Sequence, residues 1–549
     1  MISLIHADIF KAKQGFAHVR HALAAIVLIA ISVSSPAQSP SGASAFPPGA
    51  ARSLPSLGDN SDLSTAAERR IGDRIAVSIY RDPDYVDDPV LTDYLQGVWQ
   101  PLMAAARARG ELSAELEERF AWELFLIRDR SINAFALPGG YFGVHLGLVS
   151  TVGSADELAA VLAHEMSHVT QRHISRLMTQ QSRQAPWMIA AMVLGALAAS
   201  RHPDAGSAAI VGGQAILAQG QLNFSRDMER EADRVGFGVM SDAGFSSRGV
   251  SGMFAKLQQA NRLNDNGSFP YLRSHPLTTE RIAEAQARVQ LASAAAAPSP
   301  AQQAAAAQTQ RLHAMMAARA RILAVPGVDV LRTMLAEARR RAAALSEVPS
   351  VPAASAATAR DAGTLYGGVF AAAQLRDFAA ARSLLGRLGA LATGIGPAGK
   401  AVQLLAVEVD LMEGKAPVLA ATDDIAKAGS RAELLLMSRA LMAANRAPEV
   451  SQALQAWVAD HPRDAGAWQL LALACGQQGQ AVRAIRADAE SRAAQLDYGA
   501  ALDRFKAAQA LMRSQPGSAD YVEGSIVDTR TRQIESILKE QALQEKIDR

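Results

Sequence analysis

Cysteine is almost missing: Cys475 stands alone among 549 residues. That excludes an intramolecular disulfide framework and any cysteine-ligated zinc cluster. An excess of either charge is missing too. Lys and Arg number 55 against 53 Asp and Glu, a net of +2, which offers no electrostatic case for nucleic acid. Aromatic residues make up only 5%, while alanine is abundant, and this weights the chain toward helix. No apolar run reaches the roughly 20 residues of a bilayer span. What the chain does have is length, and 549 residues exceed what one compact core organises.

Near the start, Lys11, Lys13 and Arg20 precede a short apolar run from Ala22 to Val33, followed by "SSPAQ". That order predicts a cleaved secretory signal over 1–37, with an uncleaved anchor helix as the alternative, and export places the mature chain in an oxidising compartment. Residues 38–64, rich in Pro, Ser and Gly, read as a flexible mature N-terminus. Helical spacing begins near Ala66 and returns at Val90, Leu91, Tyr94, Leu95, Val98 and Leu102. The period then changes. Residues 121–129 and 131–148 suit strands and are punctuated by Pro138-Gly139-Gly140. One long helix is expected from Asp156 to about Gln180, and another over 223–243. Between them, 186–222 is strongly apolar in pieces too short to span a bilayer; it reads as core or pocket-covering helices, with peripheral membrane contact as the other possibility.

The low-complexity stretch at 291–310 reads as an Ala/Pro/Gln-rich linker. Beyond it, over 311–549, the pattern is helical and repetitive. Leu434 and Trp468 lie 34 apart, and Trp468, Leu471, Gly479 and Ala484 fit a tetratricopeptide register, as do Tyr498, Ala501, Phe505 and Ala508. Cys475 falls where one helix of a unit packs on the next, so a buried, inert thiol is expected. The fold expected is mostly α (α+β): a helical domain with a small β-sheet over 65–290, then a tetratricopeptide-like α-solenoid.

The chemistry centres on "VLAHEMSHVTQRH", residues 161–173. His164 and His168 are four apart, so on a helix they share one face about one turn apart. Two imidazole nitrogens so placed can reach one Zn²⁺ at about 2.0–2.1 Å. Glu165 lies beside them, placed to take a proton from a water activated by the metal. A catalytic zinc site needs a third protein ligand and one open position. His173 is five residues past His168, about 140° around a continuous helix, and is expected to be exposed. "NFSRDMEREADRVGF" (223–237) supplies a better candidate. Glu229 can be the third ligand, and Asp233, four residues on, can hydrogen-bond a ligating histidine or the reacting group. Asp227 and Glu231 read as bystanders on the same charged helix.

"HEMSH" followed by "SRDMEREAD" resembles the gluzincin peptidases, the group that includes HtpX and the CAAX prenyl proteases. "SINAFALPGGYFGVHLGLV" before the first motif, "SHPLTTERIA" after it and the repetitive C-terminal half narrow the resemblance to members that act in outer-membrane β-barrel assembly. The resemblance implies a zinc metalloendopeptidase with one Zn²⁺ on His164, His168 and Glu229, and catalytic roles for Glu165 and for Asp233, the latter as proton donor. It implies that His275 can close over the metal as a fourth ligand; a turn histidine ahead of Pro276 is the alternative. It also implies that Asn133, Ala134 and Ala136 belong to an edge strand that pairs with the substrate backbone. Misfolded or stalled outer-membrane proteins are the implied substrates, and the β-barrel assembly machinery is the implied partner of the repeats, with chaperone-like activity alongside. The alternative is a non-proteolytic chaperone or scaffold whose zinc site is structural or closed.

Overall fold

A computed structural model describes residues 63–181, 225–262, 271, 274–292, 299–347, 356–391, 396–415, 425–514 and 521–547. The expected signal segment, nearly all of the expected flexible N-terminus and the apolar block at 186–222 lie outside these residues.

The chain enters through α1 (Thr65–Tyr80), the two-residue strand β1 (Tyr85–Val86), α2 (Pro89–Ala108) and α3 (Ala114–Arg119). Each of these helices starts on a side chain that accepts a backbone N–H: Ser64 from Ala67, Asp88 from Leu91 and Ser113 from Leu116. Then come β2 (Glu123–Ile127), β3 (Ala134–Leu137) and β4 (Tyr141–His145). Sheet order is β1-β2-β4-β3, with β2 parallel to β4 and the outer pairs antiparallel. The β3–β4 turn uses Gly139 and Gly140 at φ +74° and +80°. A Cβ on either would come within 2.8 Å of Arg69 or Phe120, so only glycine fits there.

Two expectations fail locally. The strand pattern does not run to residue 148, because Leu146–Thr151 is a short helix, α4, begun directly at the end of β4. Nor is there one helix from Asp156 to Gln180. α5 (Ala155–Thr170) ends at Gln171 and Arg172, the latter at φ +55°, and α6 (His173–Gln181) leaves in a new direction. A non-glycine residue in the left-handed region ends the helix and resets the angular phase of everything after it.

Among the described residues three more helices follow in the first half: α7 (Arg226–Asp242), α8 (Arg248–Arg262) and α9 (Thr279–Ala292). Of the stretch expected to be a linker, residues from Pro300 onward form the first turns of α10 (Pro300–Leu323). Ser299 and Gln302 make a reciprocal capping box with Pro300 just inside it, so alanine-rich sequence here starts a helix. Met315, Met316 and Ile322 of α10 belong to the same continuous apolar core as Leu148 of α4 and Leu158 of α5.

The C-terminal part is a helical repeat region, so the molecule is mostly α with one small sheet. α11 (Val328–Glu347), α12 (Ala356–Gln374), α13 (Phe378–Leu391) and α14 (Pro397–Glu413) lead into three helical hairpins. These are α15 and α16 (Arg431–Ala443, Ala447–Asp460), α17 and α18 (Ala465–Gln477, Ala481–Ala494), and α19 and α20 (Tyr498–Ser514, Tyr521–Ile547). The first two hairpins start 34 residues apart, at Arg431 and Ala465. Trp468, Leu471, Cys475, Ala501, Phe505 and Ala508 are all buried between helices, and the lone thiol is an inert core residue as expected.

Candidate metal centre

α5 and α7 carry the centre between them. Ser154 caps α5 through the Glu157 N–H, and Ser225 caps α7 through that of Met228. The two helices approach closely at Gly236, where a Cβ would stand 3.1 Å from the Ala163 carbonyl and the His164 nitrogen. Glu229, Asp233 and Gly236 share one face of α7, so this contact brings both carboxylates up to the histidines of α5.

One ligand atom each from His164, His168, Glu229 and His275 can be chosen so that all four lie within 4.8 Å of one another. All four residues are buried. The Nε2 atoms of His164 and His168 are 3.0 Å apart, and each is 3.5 Å from a Glu229 oxygen. His275 places Nδ1 2.9 Å from Glu229 Oε1 and 3.3 Å from His164 Nε2. Tyr271 stacks on the His275 ring, with centroids 4.6 Å apart, and holds it inward. Imidazole nitrogens and one carboxylate oxygen form the donor set that suits zinc. This group can hold one such ion.

The surrounding polar groups fit that reading. His164 Nδ1 donates to Asp233 Oδ1 at 3.0 Å, the carboxylate–histidine arrangement that fixes the tautomer of a metal ligand. Burial works to lower the His164 pKa, but Asp233 and Glu229 outweigh it and push it up to about 10. Burial and the neighbouring imidazoles instead drive His168 well below the ordinary histidine range. Burial also opposes ionisation of Glu229, yet His275 and His164 keep it charged, well below the usual carboxylate range. Glu165 is 1% exposed, and neither of its oxygens makes a well-formed hydrogen bond. His275 Nε2 stands 3.4 Å from it and the backbone N–H of Ala136 faces it, but burial dominates and raises its pKa. An unsatisfied buried carboxylate beside a metal-binding group is a polar acceptor waiting for a proton donor.

β3 is one of the two outer strands of the described sheet. Ala134 and Ala136 lie in it, and Asn133 precedes it, buried, with its side-chain oxygen unsatisfied.

Asp233 is more fully engaged than the sequence indicates. Arg281 Nε and Nη2 donate to its two oxygens at 2.7 and 2.9 Å, and Arg281 Nη1 reaches Glu229 Oε2 at 2.7 Å. Burial resists, but Arg281 and His164 hold the Asp233 carboxyl at about 2. Arg281 went unnoticed in the sequence because it sits in "SHPLTTERIA" with no spacing partner to mark it. His173 is the clear correction. It is fully buried, not exposed, with Nδ1 2.9 Å from His168 Nδ1 and Nε2 3.0 Å from Glu231 Oε2. The helix break at Arg172 turns it back toward the centre, and Glu231 is thereby no bystander.

Comparison with known proteins agrees with this geometry. Residues 92–289 match the model of peptidase family M48. Among individual relatives, it is 37% identical over 239 residues to a putative beta-barrel assembly-enhancing protease of Vibrio cholerae, covering 43% of this chain and 47% of the relative. It is 33% identical over 240 residues to the beta-barrel assembly-enhancing protease of Escherichia coli, with the same coverage. The mitochondrial metalloendopeptidase OMA1 of Schizosaccharomyces pombe is 32% identical over 166 residues, 30% of this chain and 46% of that one. The match thus spans about half the length of each of these curated relatives.

Proposed function

We propose that the chain is a zinc endopeptidase of the periplasm that acts on misfolded or stalled outer-membrane β-barrel proteins. The observation that supports it most is the convergence of His164, His168 and Glu229 around one point, with the unsatisfied Glu165 carboxylate beside them. Zinc bound there would polarise the scissile carbonyl and make a water acidic enough to lose its proton near neutrality. Glu165 takes that proton and later delivers it to the leaving amine. Its burial helps, since a raised proton affinity suits a base that must also act as an acid. Asp233 orients His164 and is not the proton donor, because Arg281 and His164 already occupy its oxygens. Among the described residues β3 has no strand on its outer edge, which would take the substrate backbone and deliver a peptide alongside Glu165.

The test is hydrolysis of an unfolded outer-membrane barrel protein by the purified full chain. A zinc chelator should abolish it and added zinc restore it; hydrolysis indifferent to chelation would overturn the assignment. Glu229→Ala should bind zinc at least ~10-fold more weakly, as loss of one of three protein ligands demands. Metal analysis after dialysis checks this, and full zinc occupancy would remove Glu229 from the ligand set.

His275 favours a second state of the same site. It stands among the other three residues and, as a fourth ligand, would take the position a catalytic zinc keeps open. In that state the protein binds partners through its repeats, as a chaperone or scaffold docked to the barrel assembly machinery, without cutting. His275→Ala should therefore raise peptidase activity several-fold while zinc binding persists on the remaining three ligands. Assay of the variant beside the parent decides it: equal rates would return His275 to a turn residue.

A further inference from the structure

The two histidines of α5 are supported in different ways. His164 turns Nε2 toward Glu229 and His275 and gives Nδ1 to a carboxylate, Asp233. His168 turns Nε2 the same way but gives Nδ1 to another imidazole, that of His173, at 2.9 Å. His173 in turn presents Nε2 to Glu231 Oε2 at 3.0 Å, and Arg176 Nη2 donates to the same oxygen at 2.9 Å. The rings of His168 and His173 lie 4.9 Å apart at 71°, both fully buried.

We propose that His173, backed by Glu231, is a positioning residue that fixes the tautomer and ring orientation of His168 for metal binding. The inference rests on reading His164, His168 and Glu229 as the zinc ligands. Its logic is the direction of the protons. A neutral imidazole carries one N–H and one lone pair. If the His168 lone pair is on Nε2, its proton is on Nδ1, so His173 must accept at its own Nδ1. Its own proton is then on Nε2, aimed at Glu231. Without Glu231, His173 can hold its proton on Nδ1, where it would oppose that of His168. Glu231 therefore sets the direction of the whole chain, and Arg176 keeps that carboxylate in place. The sequence separates the parts, since His173 lies beyond the break at Arg172 and Glu231 is on α7. Only the α5–α7 packing brings them together.

The experiment measures zinc affinity of the full-length chain by chelator competition, with the absorption spectrum of the cobalt(II)-substituted protein as a report on ligand geometry. His173→Phe, which fills the space without an acceptor, should weaken zinc binding about 10–100-fold, the usual effect of losing such a supporting group. It should also shift the cobalt bands while the circular dichroism of the metal-free protein stays unchanged. His173→Asn, whose amide oxygen can stand where Nδ1 stood, should recover affinity to within about threefold of the parent. Glu231→Ala should lose about three- to tenfold. Should the phenylalanine variant fold poorly, Glu231→Ala decides alone, because that side chain is one-third exposed and its loss leaves the core intact. Parental affinity with an unchanged cobalt spectrum in that variant overturns the inference. The two readings fail separately. If Glu229→Ala keeps full zinc affinity, the zinc assignment itself falls. If Glu229→Ala loses zinc while the His173 and Glu231 variants bind like the parent, only the positioning role falls.

Discussion

Glu165→Gln should lower peptide-bond hydrolysis by about 10²–10⁴-fold, the range expected when a general base is lost, while zinc content stays at one per chain. The two side chains are nearly the same size and shape, so the pocket around residue 165 stays filled. What changes is proton affinity. The carboxylate is buried and has no well-formed hydrogen bond of its own, so its free lone pairs are available to a water near the metal ligands. An amide cannot take that proton. Because Glu165 is not among the converging ligand atoms, the substitution leaves the metal site whole. Measuring hydrolysis of an unfolded barrel protein together with zinc by atomic absorption separates the two effects. Undiminished hydrolysis in a zinc-replete variant would rule Glu165 out as the base and reopen the scaffold reading.

Much of this centre is legible in the sequence because helical spacing is a local rule. His164 with His168, and Glu229 with Asp233, are each one helical turn apart, so each pair shares a face wherever its helix lies. The strand signal at 134–145 is local in the same way, with Gly139 and Gly140 marking the turn between two short strands. His173 is buried and not exposed because the helix is not continuous, and nothing in "HVTQRHIS" marks Arg172 as a left-handed stop. Arg281 and His275 contribute through tertiary contacts that span 48 and 111 residues, and no periodicity records such contacts. The stretch at 291–310 misled differently. Its composition suggested a linker, but Ser299, Pro300 and Gln302 form a helix start, a motif that outweighs composition.

The consequence of that helix is mechanical, and it sets the second large expectation. Arg319→Ala should cost about 3–5 kcal/mol, the penalty for stripping one partner from a buried ion network. Arg319, on α10, is fully buried and donates to both oxygens of Asp88 at 2.7 and 2.6 Å and to both of Glu408 at 2.6 and 2.7 Å. It also donates to the Tyr366 hydroxyl at 3.0 Å. Asp88 is the N-cap of α2, while Tyr366 and Glu408 lie on α12 and α14, so one guanidinium ties the peptidase half to the repeat half. Its removal strips the buried Asp88 and the half-buried Glu408 of the cation they share. Arg431, bound to Asp87 and Asp464, repeats the connection farther along the array, so the halves should loosen at α10 before they part. A urea titration should show the loss of stability, and limited proteolysis should begin cutting between α9 and α11. Neutralising the stranded partners as well, in Arg319→Met with Asp88→Asn and Glu408→Gln, should recover most of the loss, because the penalty lies in the unpaired charges and not in the missing bonds. If the single variant melts like the parent, the network contributes little. The attachment of α10 to the first half would then rest on the shared apolar core, where Met315 and Met316 join Leu148 and Leu158.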